Sequence, residues 1–552
     1  MSQARHFSAR ERSASIDRMK SEDFDVFVVG GGITGAGIAR EAALRNYRVA
    51  LADRGDFAGG TSSKSSKMVH GGLRYLQYYK FRLVFEALRE RHTLSKIANF
   101  LLEPQPFLIT VHSGGKHGLN TYRLGLVLYD LLALLRAPAA HKSLNPTKAS
   151  ELEPLLRCDK LEGGFLYYDY RVDDARLTLA NIKTAWSKGA AVANYLQVTG
   201  FTKVEGRIAG VLLKDVLSGD EFACRSKVVV NAAGPYVDAV RRLDEPSAPL
   251  KLRPTKGVHI VIASERLPIS HAVVAEAEDG RNVFAVPWGR YVLIGTTDND
   301  YRGDFDEVYA SPGDVTYLLS AINATLSEAR LEPRDVIATF AALRPLVVEL
   351  GVKESEISRE HKVFVSRSGL FSIAGGKLTT YRSMAEELMD KVSDVLHYGF
   401  GVKAVFLSGS SFDLLDGAFD EKYRKAMVAD MVSSGLPGDV AEHLLSSYGS
   451  HYKELLNVLR QSPEMARRIK APLPYIWAEV KYAVEAECAV CLDDVLSRRM
   501  HFIFEDPQQG LDEAPQVARY MGKLLDWSPE EEAKQVDRYR HMVDLTRKYR
   551  EG

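Results

Sequence analysis

The stretch from Asp25 to Asp53 constrains the fold of this 552-residue chain more than any other. It begins with an apolar run, Asp25–Val29, and continues through the turn Gly30-Gly-Gly32-Ile-Thr-Gly35 into a helical pattern. A second apolar run, Arg48–Asp53, completes the unit, and Asp53 lies 18 positions after Gly35. Strand, glycine turn, helix and strand in this order form a Rossmann dinucleotide-binding unit, so the sequence predicts an α/β domain built on a parallel sheet.

Each part of this unit has a physical role in holding a dinucleotide. Gly30 permits the tight turn, Gly32 lets the backbone approach a pyrophosphate, and Gly35 lets the helix pack closely on the strand. The N–H groups at the start of the helix face the phosphates, and the Asp53 carboxylate accepts hydrogen bonds from a ribose. A glycine-rich turn alone also occurs in other α/β proteins. The complete unit favours a dinucleotide site, and it leaves FAD and NAD both open.

Composition argues against several classes of protein. Lys+Arg and Asp+Glu are both 72, so no excess of positive charge indicates a nucleic acid partner. Four cysteines are too few for a secreted disulfide scaffold, and there is no apolar run of about 18 residues to cross a bilayer. Residues 1–23 mix basic and acidic side chains without an apolar stretch, which predicts a mobile N-terminal arm rather than a signal peptide.

A hydroxyl-rich run follows the second strand, from Gly59 to Lys67, and leads into His70-Gly-Gly-Leu-Arg74-Tyr75. In isolation such a run is typical of a solvated loop. Beside a nucleotide-binding strand, its short hydroxyls suit a phosphate chain or the edge of a ring, and Arg74 suits an anion. These residues resemble the FAD-dependent glycerol-3-phosphate dehydrogenases, which belong to the same flavoprotein group as the glycine and D-amino-acid oxidases.

Three later stretches extend the resemblance in the order in which the family has them. They are Val228–Pro235, Leu293–Asp298 and Leu370–Arg382. The last is the most specific, because a strand, the Gly375-Gly376 turn and a helix bring free N–H groups to the pyrimidine edge of a flavin, where negative charge gathers on reduction. The resemblance covers residues 25–382 and continues more loosely to the C-terminus.

The resemblance implies a fold class and a domain organisation. The class is an α/β, Rossmann-like FAD-binding domain with an inserted α+β substrate domain of the glycine/D-amino-acid oxidase type and a C-terminal helical domain. The expected pieces are 24–95, 160–245 and 340–400 for the FAD-binding domain, 96–159 and 246–339 for the substrate domain, and 403–552 for the helical cap.

Local patterns support two of these assignments. The β-branched runs Val258–Ile262 and Tyr291–Ile294 predict strands of the substrate domain. The charged, helix-period sequence near the C-terminus predicts the helical cap, which Pro472 and Pro474 interrupt.

The resemblance also implies the cofactor, FAD, and the residues that contact it. The expected FAD-binding residues are Gly30, Gly32, Gly35, Asp53, Thr61, Ser62, Ser66, His70, Gly234, Gly375, Gly376, Lys377, Leu378 and Thr379. No metal site is expected. Cys488 and Cys491 form a Cys-x-x-Cys pair in a predicted helical segment without a second pair of ligands, which favours structural cysteines over a zinc or redox site.

Oxidation of a secondary alcohol requires removal of the hydroxyl proton and transfer of a hydride to the flavin, and a phosphorylated substrate also requires cations to hold it. The resemblance assigns catalysis to His259, Arg344 and Lys377, and substrate binding to Arg74, Tyr75, Arg344 and Arg359. A strand histidine equally suits a packing role, so base and structural roles for His259 both stay open. Arg344 alone also fits a surface ion pair.

The expected reaction is oxidation of sn-glycerol 3-phosphate to dihydroxyacetone phosphate, with electrons passed to a membrane quinone. The resemblance implies a cytoplasmic protein attached peripherally to the inner membrane through an anionic lipid surface, and a homodimer stays open. Arg123–Arg136, an apolar run between two arginines, is either a buried helix or an interfacial helix supported by the basic residues of Lys80–Arg91. The alternatives are a soluble oxidase that uses oxygen, an amine oxidase, and a regulatory flavoprotein without turnover. The set of cations argues against the last two.

Overall fold

The computed structural model describes residues 6–115, 117–134, 136–348, 360–405 and 412–551. Within these ranges the chain forms two β-sheets and a C-terminal group of helices. The strands are, in chain order, β1 (Asp23–Val29), β2 (Val49–Ala52), β3 (Met68–Val69), β4 (Leu102–His112), β5 (Lys142–Leu144), β6 (Leu161–Val172), β7 (Ala191–Ala193), β8 (Leu196–Val204), β9 (Arg207–Asp215), β10 (Glu221–Asn231), β11 (Leu252–Ala263), β12 (Ala272–Glu276), β13 (Asn282–Trp288), β14 (Tyr291–Gly295), β15 (Asn299–Asp300), β16 (Val336–Val347), β17 (Lys362–Val365) and β18 (Phe371–Ala374).

The helices connect and cover these strands. They are, in chain order, α1 (Arg12–Ser21), α2 (Ile33–Leu44), α3 (Phe81–Ile97), α4 (Leu119–Ala133), α5 (Pro146–Leu152), α6 (Asp174–Ser187), α7 (Val237–Asp244), α8 (Pro312–Thr325), α9 (Tyr381–Phe400), α10 (Arg424–Ser433), α11 (Gly438–Tyr448), α12 (Tyr452–Gln461), α13 (Trp477–Ala486), α14 (Leu492–Asp494), α15 (Phe502–Glu505), α16 (Ala514–Leu525) and α17 (Pro529–Arg547).

The first sheet is built around β1, the first strand of the predicted nucleotide unit. Its strand order is β17-β18-β10-β1-β2-β7, and β1 pairs in parallel with both β10 and β2. All residues of β1 after Asp23 are buried, and the helix α2 packs against α6 and α9. Because a central parallel strand is covered on both faces, β1 is apolar almost throughout rather than alternating. The predicted Rossmann-like unit is confirmed.

The second sheet has the strand order β15-β11-β14-β13-β12-β4-β6-β3, with β16 paired to β11 and β5 to β6. The predicted strands Val258–Ile262 and Tyr291–Ile294 lie within β11 and β14, which pair antiparallel. Two strands fall on the other side of the expected domain boundaries. Strand β6 and residues 340–347 of β16 were expected in the FAD-binding pieces that begin at 160 and 340, but both β6 and β16 pair within the second sheet.

The C-terminal region is helical, as the sequence predicts, and packs on the second sheet. The helices α10–α17 lie beyond Tyr423, and Pro472 and Pro474 separate α12 from α13. Phe340 of β16 shares a hydrophobic cluster with Trp477 and other side chains of these helices. None of the helices in the described ranges is long and apolar enough to cross a membrane.

The N-terminal segment differs from its expectation as a mobile arm. Helix α1 packs against the first sheet and buries Ile16 and Met19. Arg12 donates to both carboxylate oxygens of Asp215 at 2.9 Å and to the carbonyl oxygen of Asn194 at 2.8 Å. The prediction of a mobile arm is therefore wrong for the described part of this segment, because its few apolar side chains and one arginine fit sites formed by distant residues.

Candidate active site

A single large cavity of about 1700 Å³ brings most of the predicted site residues together. This volume exceeds the several hundred cubic ångströms that a small ligand fills, so the cavity has room for a dinucleotide and a substrate. It is lined by residues of both sheets, including Gly30, Gly32, Asp53, Thr61, Ser62, Ser66, His70, Arg74, Tyr75, Gly234, His259, Arg344, Gly375, Gly376, Lys377 and Leu378. Gly35 and Thr379 lie behind the lining, and Arg359 falls outside the described residues.

The glycine turn after β1 has the geometry of a phosphate-binding turn. Gly30 has a φ of 103°, which favours glycine, and Gly32 is the N-cap of α2. The Ile33 N–H at the start of α2 donates to Ser62 Oγ at 2.9 Å, so the hydroxyl-rich run meets the helix N-terminus. A Cβ atom on Gly35 would overlap the carbonyl oxygen of Gly30, so Gly35 serves the packing of helix on strand and does not line the cavity.

The Asp53 carboxylate holds the glycine turn as well as facing the cavity. It accepts hydrogen bonds from the Gly31 N–H at 2.6 Å and from the Gly55 N–H at 2.9 Å. Burial raises the pKa of Asp53, and the two N–H donors oppose that rise. Because each carboxylate oxygen has two lone pairs, capacity remains for the ribose contact that the sequence predicts.

A second turn closes the other end of the cofactor region. Gly375 and Gly376, directly after β18, have φ values of 80° and 89°, and a short 3₁₀ turn, Leu378–Thr380, leads into α9. The His70 N–H donates to Thr379 Oγ1 at 3.1 Å, which joins this turn to the loop that carries Arg74. The glycine turns and helix starts in the cavity lining fit FAD: the N–H groups at the first turn would hold the diphosphate, and those at the second would favour negative charge on the flavin edge.

His259 lies in β11 with its imidazole between Ser66 and Phe340. Its Nε2 is 2.9 Å from Ser66 Oγ, and its ring stacks on Phe340 at a centroid distance of 4.9 Å. Among the described residues, no partner lies within hydrogen-bond reach of the buried Nδ1. Burial, together with the cations Arg344 and Lys67, lowers the pKa of His259 to about 3. The imidazole is therefore neutral at physiological pH.

Arg344 of β16 is held rigidly beside His259. Its Nη1 donates to Asp298 Oδ1 at 3.0 Å, and its Nη2 donates to Thr296 Oγ1 at 2.8 Å. Gly257 on the neighbouring strand leaves the room in which the guanidinium lies, because a Cβ atom there would overlap it. Sequence reasoning identified the Leu293–Asp298 stretch but did not assign Asp298 a role, and the arginine is paired in the cavity wall rather than on the outer surface.

Lys377, Tyr75 and Arg74 form a second polar group in the cavity lining. The Lys377 Nζ lies 3.8 Å from the centre of the Tyr75 ring, and the Arg74 guanidinium lies 6.0 Å from the same ring. These distances are within the range of cation–π attraction. Tyr75 thus orients two cations toward one region and lines the cavity itself.

Lys64 is a cavity residue that sequence reasoning missed. It lies within the hydroxyl-rich run, between Ser62 and Ser66, and its half-buried side chain lines the cavity. Burial, with a smaller contribution from Arg498, lowers the pKa of Lys64 to about 8. The sequence did contain a signal for Lys64, because a basic residue in a run expected to bind phosphate is a candidate phosphate ligand.

The Cys488 and Cys491 pair has the properties of buried structural thiols. Both side chains are buried and free, and they lie in a loop between α13 and α14 rather than within a helix. Burial raises the pKa of Cys488 to about 12 and also raises the pKa of Cys491. A thiol that ionises this reluctantly is a poor nucleophile.

Comparison with known proteins agrees with these features. A family model described as FAD dependent oxidoreductase matches residues 25–382, and one described as C-terminal domain of alpha-glycerophosphate oxidase matches residues 402–532. The chain is 37% identical over 535 residues to an aerobic glycerol-3-phosphate dehydrogenase of Staphylococcus aureus (strain USA300), covering 95% of this chain and 94% of that protein.

Solved structures give the same picture. The glycerol-3-phosphate dehydrogenase from Bacillus halodurans, complexed with FAD, superposes with a TM-score of 0.82 at 32% identity and covers 98% of both chains. The glycine oxidase from Geobacillus kaustophilus superposes with a TM-score of 0.52 at 22% identity, covering 72% of this chain and 100% of its own. The second likeness shows the shared fold alone.

Proposed function

Because this chain belongs to the family of FAD-dependent, aerobic glycerol-3-phosphate dehydrogenases, we propose that it oxidises sn-glycerol 3-phosphate to dihydroxyacetone phosphate. The protein is an oxidoreductase, and its cofactor is FAD. One observation carries the proposal for the substrate: a neutral imidazole and a fixed guanidinium share the cavity with the two glycine turns that fit FAD. A secondary alcohol bearing a phosphate needs this combination.

His259 is the proposed acceptor of the hydroxyl proton. Bound FAD supplies the hydride acceptor for the alcohol carbon, so the protein must supply the base and hold the substrate. A neutral imidazole accepts a proton, but a pKa of about 3 makes it a weak base. A phosphate bound beside Arg344 offsets the part of the lowering that comes from this cation, whereas the larger part, which comes from burial, remains.

The cations of the cavity are the proposed site for the substrate phosphate. Arg344 is orientated by Asp298 and Thr296, so its guanidinium loses little further freedom when it binds an anion. Arg74 and Lys377 approach the same cavity around the Tyr75 ring. Arg359, which the resemblance also assigns to the substrate, stays a proposal from the sequence.

Replacing Arg344 with Met is expected to raise the KM for sn-glycerol 3-phosphate about 10- to 100-fold, because a charge-assisted hydrogen bond of about 1.5–3 kcal/mol is lost. Glycerol, which has no phosphate, should remain an equally poor substrate in both proteins. Steady-state assays with an artificial dye as acceptor measure both values.

Arg253→Met is the matched control for this change. Arg253 also pairs with an aspartate of the second sheet, Asp300, at 2.8 Å, but it does not line the cavity. Its replacement should leave the KM unchanged. A preference for glycerol 3-phosphate over glycerol that survives in Arg344→Met would remove Arg344 from the phosphate site.

Membrane quinone is the electron acceptor that the exposed surface supports. Eight large apolar side chains are exposed on α3, on α4 and directly beside these two helices, and we call them the apolar patch: Tyr78, Tyr79, Phe81, Phe85, Leu124, Val127, Leu131 and Leu134. Helices α3 and α4 pack against each other. Tyr79, Leu124 and Leu131 are 80%, 72% and 65% exposed, which is unusual for such side chains on a water-facing helix.

The structure of α4 bears on the two readings of the Arg123–Arg136 run. Leu126, Tyr129 and Ala133 are buried on one face of the helix, whereas Leu124 and Leu131 face outward. The helix is thus neither fully buried nor fully exposed, and its apolar outer face favours the interfacial interpretation.

Position and charge also support a lipid-facing role for the patch. Tyr79, Phe81 and Leu124 line the mouth of the cavity, so a lipid-dissolved acceptor at the patch approaches the flavin region. Lys80, Arg82 and Arg123 are exposed around it and suit anionic headgroups. Arg91, which the sequence placed in this basic group, is buried and donates to Asp169 at 2.5 Å, so it does not contribute.

Replacing Val127 and Leu131 with Glu is expected to release the protein from anionic vesicles and to abolish most quinone reduction. Activity with a water-soluble dye should persist within about twofold, because neither side chain lines the cavity. Vesicle co-sedimentation and parallel assays with the two acceptors measure these effects.

Val204→Glu with Leu250→Glu is the matched control, since these two apolar side chains are also exposed, at 64% and 58%, but lie outside the patch. The control should sediment with vesicles like the unmodified protein. If the Val127 and Leu131 variant still binds vesicles and reduces quinone, another surface carries the membrane contact.

One experiment distinguishes the proposed quinone-linked dehydrogenase from a flavoprotein without turnover and from a soluble oxidase. Anaerobic addition of sn-glycerol 3-phosphate should bleach the flavin absorbance, whereas a flavoprotein without turnover stays yellow. Reoxidation by a quinone in vesicles, but only slowly by oxygen, is the expected second step. Rapid reoxidation by oxygen would instead identify a soluble glycerol-3-phosphate oxidase.

A further inference from the structure

A buried network of charges joins the C-terminal helices to the loop that follows β2. The network contains three carboxylates and three guanidiniums, those of Asp56, Asp493, Asp494, Arg498, Arg499 and Arg538. Five of the six side chains are almost completely buried, and only Arg538 reaches the surface. Burial of this much charge is costly unless every member is paired, so the arrangement is a built feature of the fold.

Asp56 is the member that belongs to the nucleotide-binding domain. Arg498 Nε donates to its Oδ2 at 2.6 Å, Arg499 donates to both of its oxygens, and Asn194 Nδ2 donates to Oδ1 at 3.1 Å. Burial disfavours ionisation of Asp56, but the two guanidiniums outweigh it and lower the pKa of this carboxyl. Both arginines come from a single π-helical turn, Val495–Arg499, a form of helix that occurs often at functional sites.

Short backbone contacts connect Asp56 to the glycine turn. Two residues after Asp56, the Ala58 N–H donates to the carbonyl oxygen of Gly31 at 3.1 Å. Three residues before it, the Asp53 carboxylate accepts from the Gly31 N–H at 2.6 Å. The ring of Phe57 lies directly against Gly31. Both polar groups of the Gly31 backbone are therefore held by the loop that Asp56 fixes.

The same C-terminal residues form part of the cavity wall. Asp493, Arg498 and Arg538 line the cavity together with Asp53, Gly55 and Asp56. A shift of the C-terminal helices would therefore directly move residues that line the nucleotide site.

We propose that Arg498 and Arg499 of the C-terminal helical domain are positioning residues for the diphosphate and ribose end of FAD. They fix Asp56, Asp56 fixes the loop Asp53–Ala58, and this loop holds the Gly31 turn in the shape that receives the cofactor. The inference concerns retention of FAD and does not depend on which alcohol is oxidised or which acceptor is used. It gives the C-terminal domain a role in cofactor binding in addition to its packing on the second sheet.

Arg499→Met tests the proposal through cofactor retention. The purified holoenzyme should lose FAD on dilution, and its Kd for FAD should rise at least about tenfold. ADP, which carries the adenine, ribose and diphosphate of FAD but not the flavin, should bind less tightly by a similar factor when it competes with FAD. At saturating FAD, turnover should stay within about twofold of the unmodified enzyme, because neither arginine contacts His259 or Arg344.

Glu487→Gln is the matched control. Glu487 accepts from Arg176 Nη1 at 2.6 Å in an equally buried ion pair between α6 and the C-terminal region, and its side chain does not contact Asp56. Its backbone carbonyl accepts from Arg499 Nη2 at 2.8 Å, a contact that Glu487→Gln retains. This variant should lower the Tm and leave the Kd values for FAD and ADP unchanged. If Glu487→Gln loses FAD as readily as Arg499→Met, general docking of the domain explains the effect and the proposal is overturned.

A milder variant keeps the test decisive if Arg499→Met does not fold. Arg499→Lys retains the charge but loses the paired donors, so FAD release should be intermediate and hydrogen exchange at the Gly31 and Ala58 amides should accelerate. Unchanged FAD affinity together with unchanged exchange at these amides, in a variant whose Tm has fallen, would show that the network serves stability alone.

Discussion

Replacing Gly32 with Val is expected to yield a folded protein that retains almost no FAD. The Gly32 backbone is extended, with φ −74° and ψ 177°, a conformation that valine adopts without strain. The nearest atom to an added Cβ is Ser62 Oγ at 3.1 Å, so the protein itself accommodates a first carbon with a small shift. The branched side chain instead fills the space before the α2 N-terminus, where the diphosphate binds. The ratio of flavin absorbance to protein concentration after purification measures the loss.

Two other glycines separate this effect from damage to the fold. Gly35→Ala places a Cβ atom against the carbonyl oxygen of Gly30, so this variant should fail to fold rather than fold without flavin. Gly438→Ala, at the start of α11 with open space around it, should retain FAD fully. Full flavin occupancy in Gly32→Val would show that the turn does not receive the diphosphate.

Replacing His259 with Gln is expected to slow flavin reduction by a factor of about 10² to 10⁴, which is the usual contribution of a general base. Binding should change little, because Gln keeps a hydrogen-bonding group near Ser66 Oγ and fills similar space. Stopped-flow reduction under anaerobic conditions separates the two effects. His271→Gln is the control, since His271 pairs with Glu153 at 2.8 Å and does not line the cavity. A rate within threefold of the unmodified enzyme would assign the proton to another acceptor.

The pH dependence of the same step follows from the pKa of about 3 at His259. The free enzyme keeps this imidazole neutral from pH 8 down to pH 5, so kcat/KM should not fall through an ionisation near 6.5. Folding stability behaves differently, because a histidine in the unfolded chain has a pKa of about 6.5 and binds a proton that the folded state rejects. The contribution of His259 to stability is therefore present above pH 6.5 and declines as the pH falls toward 3. The lowered pKa would be contradicted if kcat/KM of the unmodified enzyme fell with an apparent pKa near 6.5 and this fall were absent in His259→Gln.

The parts of this molecule that could be predicted from the sequence are those whose signal is local. The unit from Asp25 to Asp53 carries its strand, turn and helix within 29 residues, and the Gly375-Gly376 turn is equally self-contained. The resemblance added the order of these pieces and brought His259 and Arg344 into consideration. In the structure both residues line the same cavity, and their strands β11 and β16 pair.

The parts that were missed depend on contacts between distant residues. Nothing near Arg12 indicates that it pairs with Asp215, and nothing near Asp298 indicates that it orientates Arg344. The boundary errors have the same origin. Strand β6 lies next to a helix of the first domain in the sequence, but its hydrogen-bond partners belong to the second sheet. Pairing of this kind is set by tertiary packing, which periodicity does not report.

The pairing of β1 with β10, and of β10 with β18, has a consequence for synthesis of the chain. When residues up to 230 have emerged from the ribosome, β1 can pair with β2 and β10. The sheet still lacks β18 (Phe371–Ala374), and Asp56 still lacks Arg498 and Arg499. During most of its elongation, the nascent chain therefore exposes apolar strands that lack part of their sheet and a carboxylate that lacks its ion-pair partners. Such a chain needs protection from aggregation until nearly all of it has emerged. Flavin capture is then one of the last steps in the formation of the enzyme.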